Sequence, residues 1–201
     1  MALASMIAIA TACLLAVASA DDPTPETGPP TRNAAAPTVT PADASELVVV
    51  GKSRFGLPEI MLEIGGVPHR IELAATQRSR ARGMSGRTAF PRGTGMLFVH
   101  PDDAPRRYWM KNCRVDMDIA YLDRRGTVVS IHRMKAEPPR RDTERMAAYE
   151  ARLPGYPSRR DARYALELPS GEMTRLKVLV GEPIGLPVKA LEAHHRVHGA
   201  G

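Results

Sequence analysis

Two runs of alternating apolar and polar residues on either side of a Gly-Gly pair place the strongest constraint on the fold of this chain. Residues 60–64 alternate Ile, Leu and Ile with polar or flexible neighbours, and residues 67–73 repeat the pattern after Gly65-Gly66. Strands have a side-chain period of two, and a two-residue hairpin turn requires positive φ, which glycine adopts readily. The sequence therefore predicts a β-hairpin.

A short helix is predicted directly after this hairpin. Thr76 can cap the first amides of a helix over residues 77–82, and Gly83 can take the left-handed position that ends it. Arg80 and Arg82 would lie in the last turn, where positive charge complements the helix dipole. A helix this short depends on packing for its stability.

The rest of the folded region reads mostly as strands. They are predicted at residues 46–50, 95–99, 107–111, 117–122, 127–134, 164–168 and 176–180. Residues 138–163 interrupt this series with a predicted helix of about three turns, capped by Asp142 and carrying Met146, Tyr149 and Leu153 on one stripe. This arginine-rich insertion could cover a pocket or form an amphipathic surface helix. The expected fold class is β-rich α+β: a compact antiparallel or mixed sheet, or a small barrel-like domain, with two or three short helices.

The beginning of the chain predicts export. Residues 1–20 carry no charged side chain and end in Ala18-Ser19-Ala20, small residues at the positions that a signal peptidase reads. The apolar run is short for a membrane span, which needs about 20 residues. We expect a cleaved signal peptide and a periplasmic or extracellular protein; the alternative is an uncleaved N-terminal anchor.

Composition divides residues 21–201 into three parts. Residues 21–45 are rich in Pro, Thr and Ala without apolar periodicity, which predicts a disordered linker. Residues 46–187 form the predicted single globular domain, and residues 188–201 a C-terminal tail. Signal cleavage would remove Cys13 and leave Cys113 as the one thiol. We therefore expect no internal disulfide and a mostly buried Cys113.

The charge is concentrated in the predicted domain. The chain carries +6; residues 1–20 contribute nothing and residues 21–45 contribute −3, so residues 46–201 carry +9. This excess suits either an anionic partner of the cell envelope or general solubility. The sequence does not favour a nucleic-acid partner, because the nine aromatic residues do not interleave with the basic ones.

The segment 108–122 carries the candidate site. Its only tryptophan, Trp109, shares a strand face with Lys111, which resembles a stacking surface with an anion clamp. A core tryptophan with a snorkelling lysine is the structural alternative. Asp118 opens an apolar strand and needs a partner if it is buried, for which Lys111, Arg87 and Arg82 are the candidates. We therefore expect Arg87, Trp109, Lys111, Asn112 and Asp118 to converge on one concave ligand-binding patch.

The chain carries no signature of a known enzyme class. It contains no nucleophile elbow, no His-Glu-x-x-His, no phosphate-binding glycine loop and no paired-cysteine metal motif. His194, His195 and His198 have a spacing that could bind a metal, but they lie at a terminus that is expected to fray. No cofactor or metal site is predicted, and whether the protein is an enzyme stays open.

Several short motifs together resemble the domain of unknown function 192 family over residues 60–184. They are Glu72-Leu73-Ala74 with Thr76, Arg82-Gly83-Met84 with Arg87, residues 95–98, Trp109-Met110-Lys111-Asn112, Asp118-Ile119 with Tyr121, and residues 166–169 with Gly171. The chain departs from the family pattern at Ser85, Cys113 and Asp116. The resemblance implies a compact, β-rich α+β domain without an established activity.

Two functional hypotheses remain. The first is an exported, non-catalytic binding or accessory module for an anionic or carbohydrate-like ligand. The second is a small hydrolase or transferase that uses Asp118 and Lys111 as acid–base groups. The absence of a nucleophile, metal or cofactor motif beside Asp118 favours the binding module.

Overall fold

The computed structural model describes residues 47–199, which form seven strands and four short helices. In chain order they are β1 (Val49–Lys52), β2 (Pro58–Ile64), β3 (Val67–Ala74), α1 (Gln77–Arg82), β4 (Thr94–Trp109), β5 (Met117–Leu122), β6 (Val128–Met134), α2 (Met146–Arg152), β7 (Gly155–Pro169), α3 (Glu172–Arg175) and α4 (Val188–His198). The predicted signal peptide and linker lie outside the described residues. Within residues 47–199, no helix has the length and apolar character needed to cross a bilayer.

The strands form one open, mixed sheet in the order β1-β2-β3-β4-β7-β5-β6. Adjacent strands run antiparallel except β3 and β4. These two run parallel because the connection through α1 returns the chain to the same end of the sheet. The predicted β-rich α+β class with a mixed sheet is confirmed. The described residues contain four helices where two or three were expected.

The two strongest local predictions are confirmed. The hairpin joins β2 to β3 with Ile64 opposite Val67, and Gly65 and Gly66 have φ of 57° and 76°. Helix α1 begins after Thr76, whose hydroxyl accepts a hydrogen bond of 3.0 Å from the Ser79 amide. Gly83 ends the helix at φ 47° and ψ −133°, a positive φ outside the left-handed helical region that was expected.

Long strands replace several of the predicted short ones. The two strands expected at residues 95–99 and 107–111 are one strand, β4, which pairs with an equally extended β7. The register shifts between Val99 and Ala104 and again between Pro105 and Arg107. Irregularities of this kind let a strand continue through residues that break regular pairing, including proline.

Two other predicted elements are wrong in extent or type. Helix α2 spans two turns and starts after Arg145, not Asp142, and the last part of the insertion, residues 155–163, belongs to β7. Residues 176–180 form no strand, because the Val178 amide bonds to the Met173 carbonyl and Lys177 has φ 55°. The segment assigned to the C-terminal tail contains α4, with Ala190 and Leu191 buried.

Each face of the sheet has its own core. One face, which we call the helix-covered face, packs strand residues such as Leu97 and Leu166 against Met173 from α3 and Leu191 from α4. The opposite face, which we call the methionine face, contains half of the chain's ten methionines. They are Met84, Met96, Met110, Met117 and Met134.

Candidate functional site

A groove at the far end of β4 contains the only tryptophan. Trp109 is the last residue of β4, lies opposite Gly155 at the start of β7, and is 47% exposed. The groove has a volume of about 380 Å³. Its lining residues are Arg107, Tyr108, Trp109, Glu150, Ala151, Leu153 and Gly155. We call it the Trp109 groove.

The alternation along β4 explains why Trp109 faces solvent. Tyr108 points inward and packs edge-on against Phe98 and Tyr121, with ring centroids 4.9 and 5.7 Å away. Trp109 therefore points outward. The Tyr121 hydroxyl accepts a hydrogen bond from the Tyr108 amide and donates one to the Tyr156 carbonyl, so this side chain of β5 links β4 to β7.

Lys111 lies beside Trp109 and contacts Glu150, a residue of α2 that lines the groove. Its ammonium nitrogen is 5.5 Å from the centroid of the Trp109 ring and forms a salt bridge with Glu150. The two side chains come together through a turn, since β4 ends at Trp109, and not through the shared strand face that was expected.

Asn112 contributes backbone contacts that fix this turn. Its amide donates to the Tyr149 hydroxyl at 2.9 Å, and its carbonyl accepts from the Gly86 amide at 2.9 Å. Its φ of 57° is a conformation that asparagine tolerates better than most residues. The turn is therefore held from one side by α2 and from the other by the residues that follow α1.

Arg107 adds a second cation to the groove. The guanidinium of Arg107 lies against the backbone of Gly155. A Cβ atom at position 155 would overlap this guanidinium, so glycine leaves the space that it occupies. Among residues 47–199, no carboxylate is within salt-bridge distance of Arg107. Arg107 and Glu150 in the groove lining, together with Lys111 beside Trp109, carry one net positive charge.

Arg87 lies on the methionine face and does not line the groove. Its two terminal nitrogens donate to both carboxylate oxygens of Glu72 at 2.8 and 2.5 Å, and its guanidinium lies 3.9 Å from the centroid of the Phe55 ring. Arg87 and Glu72 are both buried. Bidentate pairs of this geometry are rigid, so Arg87 braces the fold at this position.

Asp118 is buried on the helix-covered face, opposite to Arg87, and both of its carboxylate oxygens accept hydrogen bonds. Because its neighbours Met117 and Ile119 belong to the methionine face, its side chain points to the helix-covered face. One oxygen accepts from Arg133 at 3.3 Å, and the other accepts from the amides of Gly171 and Met173 at 2.8 and 3.2 Å.

The prediction that Asp118 pairs with Lys111, Arg87 or Arg82 is therefore wrong. Its hydrogen bonds come from Arg133 on the neighbouring strand β6 and from the backbone at the start of α3. Lys111 and Asp118 have no common contact among the described residues, and the acid–base pair considered from the sequence does not assemble. The structure brings Trp109, Lys111 and the Asn112 backbone together, and it holds Arg87 and Asp118 elsewhere.

The buried acid Glu167 was not predicted from the sequence. Glu167 on β7 lies between Met96 and Ile119 on the methionine face, and its Oε2 has no hydrogen-bond partner among the described residues. Burial raises the pKa of this carboxyl to about 8, opposed by attraction to Arg87. An acid flanked by leucines in a strand was the available signal. Arg107 and Glu150, which line the groove, were not predicted from the sequence either.

Cys113 lies beneath the same turn as Lys111. It is 8% exposed and forms no disulfide, and burial raises the pKa of its thiol to about 12. The predicted burial of Cys113 is confirmed. Its thiol is protonated at neutral pH, so it is a weak nucleophile in the folded protein.

Comparisons with known proteins identify a family without a described activity. Among curated proteins, none matches the chain. A crystal structure of a protein of unknown function from Novosphingobium aromaticivorans aligns with 22% identity and a TM-score of 0.55, covering 72% of this chain and 96% of that one. It supports the fold.

A second crystal structure, of a "putative transcription regulator" from Sinorhizobium meliloti, aligns with 28% identity and a TM-score of 0.47, covering 63% of this chain and 92% of that one. The model of the family described as DUF192, Uncharacterized ACR, matches residues 60–186, which is more than half of the chain. The protein therefore belongs to the DUF192 family.

Proposed function

We propose that the protein is a non-catalytic binding module and that the Trp109 groove takes an anionic, carbohydrate-like ligand. The observation that carries this proposal is the exposed Trp109 ring in a groove of about 380 Å³ that Arg107 also lines, with Lys111 beside the ring. Binding clefts of small molecules typically have volumes of roughly 300–1,000 Å³. An aromatic face packs against the apolar face of a ring, while the cations select a carboxylate or sulfate.

Arg107 supports an anion as the ligand, because its guanidinium forms no salt bridge within residues 47–199, unlike the ammonium of Lys111. Lys111 already has a carboxylate partner in Glu150, so a bound carboxylate would compete for or share this ammonium. Arg107 offers its planar guanidinium to a ligand without first losing a salt bridge, and guanidinium groups recognise carboxylates in a bidentate manner. The excess positive charge of residues 46–201 would attract such a ligand from a distance.

The hydrogen bonds of Asp118 support binding over acid–base chemistry. Both carboxylate oxygens of Asp118 already accept hydrogen bonds, from two backbone amides and Arg133, and the side chain is buried. Asp118 is also absent from the residues that line the groove. The groove itself contains one carboxylate, Glu150, and this group pairs with Lys111.

We further propose that the mature protein is exported and meets its ligand in the cell envelope. The uncharged residues 1–20 and the Ala18-Ser19-Ala20 site support export. Mass spectrometry of the protein from the envelope fraction tests this proposal. We expect a chain that begins at or near Asp21; a membrane-embedded chain that retains Met1 would contradict it.

Fluorescence titration tests the binding proposal directly, because Trp109 is the only tryptophan. The probe is trigalacturonate, an anionic sugar, and maltotriose is the neutral comparison. We expect trigalacturonate to change the emission with saturation and maltotriose to bind at least tenfold more weakly. Absence of any emission change at millimolar trigalacturonate would contradict the proposal.

Matched variants separate the groove from general charge attraction. Arg107→Gln removes one positive charge from the groove lining and Lys111→Gln removes one from beside the Trp109 ring, whereas Arg124→Gln removes one from the exposed β5–β6 turn. We expect the first two to weaken trigalacturonate binding at least fivefold and Arg124→Gln to change it less than twofold. Equal effects of all three would show that net charge, and not the groove, determines binding.

A further inference from the structure

Two histidines lie one turn apart on the last helix. His194 and His198 have ring centroids 4.6 Å apart, with an angle of 47° between the ring planes. They stand on α4, which packs onto the domain through the buried residues Ala190 and Leu191. The rings therefore share one face of a helix that is held against the fold.

The ring nitrogens distinguish these two histidines from the others. Among the residues that the structure describes, four histidines have a ring nitrogen in a hydrogen bond: His69, His100, His132 and His195. No such bond is formed by His194 or His198 within residues 47–199. His194 is partly exposed and His198 is exposed, so both rings can offer a nitrogen lone pair to a ligand from solvent.

We propose that His194 and His198 together bind one divalent transition-metal ion of the type that prefers imidazole, such as Zn²⁺ or Ni²⁺. Histidines at i and i+4 project from the same helix face, the spacing that places two imidazoles on one zinc ion in known helical sites. Neutral imidazole suits these ions, whereas Mn²⁺ and Mg²⁺ prefer oxygen ligands.

The site supplies two protein ligands. Within the described part of the chain, no group of three or more His, Cys, Asp or Glu side chains is arranged to hold a metal, so water completes the coordination sphere. A two-ligand site of this kind leaves open positions on the metal. It lies on α4, apart from the residues that line the Trp109 groove, and it stands independently of the proposed ligand of that groove.

His195 provides a matched control on the same helix. Its Nδ1 lies 3.1 Å from the Ala75 carbonyl oxygen, and its ring lies directly beside Gly199, where a Cβ atom would overlap it. His195 therefore faces the domain, while His194 and His198 face each other. Replacement of His195 removes the same chemical group without removing a proposed ligand.

Isothermal titration calorimetry of the full chain without an affinity tag tests the proposal. We expect Zn²⁺ and Ni²⁺ to bind with one ion per chain and Mn²⁺ to bind at least tenfold more weakly than Ni²⁺. His194→Gln and His198→Gln should each lose at least tenfold in Zn²⁺ affinity, and His195→Gln should stay within threefold of the unmodified chain. Thermal melting of each variant checks that it is folded.

The proposal is overturned if Zn²⁺ gives no binding heat or if either His194→Gln or His198→Gln loses less than tenfold. It is also overturned if His195→Gln weakens Zn²⁺ binding more than threefold. In that case the third histidine, or the helix as a whole, would contribute to the metal site.

Discussion

Replacing Glu167 by glutamine should change how the stability of the protein depends on pH. The Glu167 carboxyl is buried on the methionine face, and its Oε2 has no hydrogen-bond partner within residues 47–199. Burial raises its pKa from 4.5 to about 8, so the folded protein keeps a proton that the unfolded chain releases. Glutamine has a similar shape and stays neutral at every pH used.

The expected magnitude follows from the two pKa values. Below pH 4.5 the carboxyl is protonated in both states, so its ionisation does not oppose folding. Between pH 4.5 and 8 the unfolded chain releases the proton first, and the free energy of unfolding falls by up to about 1.4 kcal/mol per pH unit. Over this window the loss has an upper limit of about 5 kcal/mol.

Urea denaturation of the unmodified protein and of Glu167→Gln at pH 5, 6, 7 and 8 measures this difference. The variant should become more stable relative to the unmodified protein by a few kcal/mol between pH 5 and pH 8. Parallel stability curves for the two proteins over this range would contradict a buried carboxyl that stays protonated near neutral pH.

Two substitutions of buried acids, one control substitution and one labelling experiment test the other buried side chains. Glu72→Gln breaks the buried pair with Arg87 and should lower the free energy of unfolding by about 3–5 kcal/mol in chemical denaturation. Asp118→Asn weakens the acceptor of the Gly171 and Met173 amides and should lower stability by about 1–3 kcal/mol. Its control, Arg133→Gln, removes a partner that is 55% exposed and should change stability by less than about 1 kcal/mol. Cys113 should react with a thiol reagent far more slowly in the native protein than in denaturant; equal rates would contradict its burial.

Elements that depend on nearby residues were predictable from the sequence. The hairpin at Gly65-Gly66 needs positive φ at two adjacent residues, and the cap of α1 joins Thr76 to Ser79 three residues later. Such interactions are complete within a few residues, so the local sequence determines them. Trp109 and Lys111 come together for the same reason, since one residue separates them.

Contacts between distant residues were not predictable in the same way. Asp118 is held by an amide 53 residues away, and Lys111 pairs with Glu150, 39 residues away. The continuous pairing of β4 with β7 depends on register shifts that no local pattern signals. A charged residue in a strand shows that a partner is needed, but the tertiary fold determines which partner it finds.

Chemical-shift mapping of the ¹⁵N-labelled domain with trigalacturonate tests most directly whether the Trp109 groove binds an anionic sugar. We expect the largest amide shifts in residues 107–112 and 149–155, together with a shift of the Trp109 indole N–H. We also expect these shifts to be smaller in Arg107→Gln at the same subsaturating ligand concentration, because this variant should bind at least fivefold more weakly. No shifts in these segments, or shifts confined to other parts of the domain, would contradict the proposed binding function.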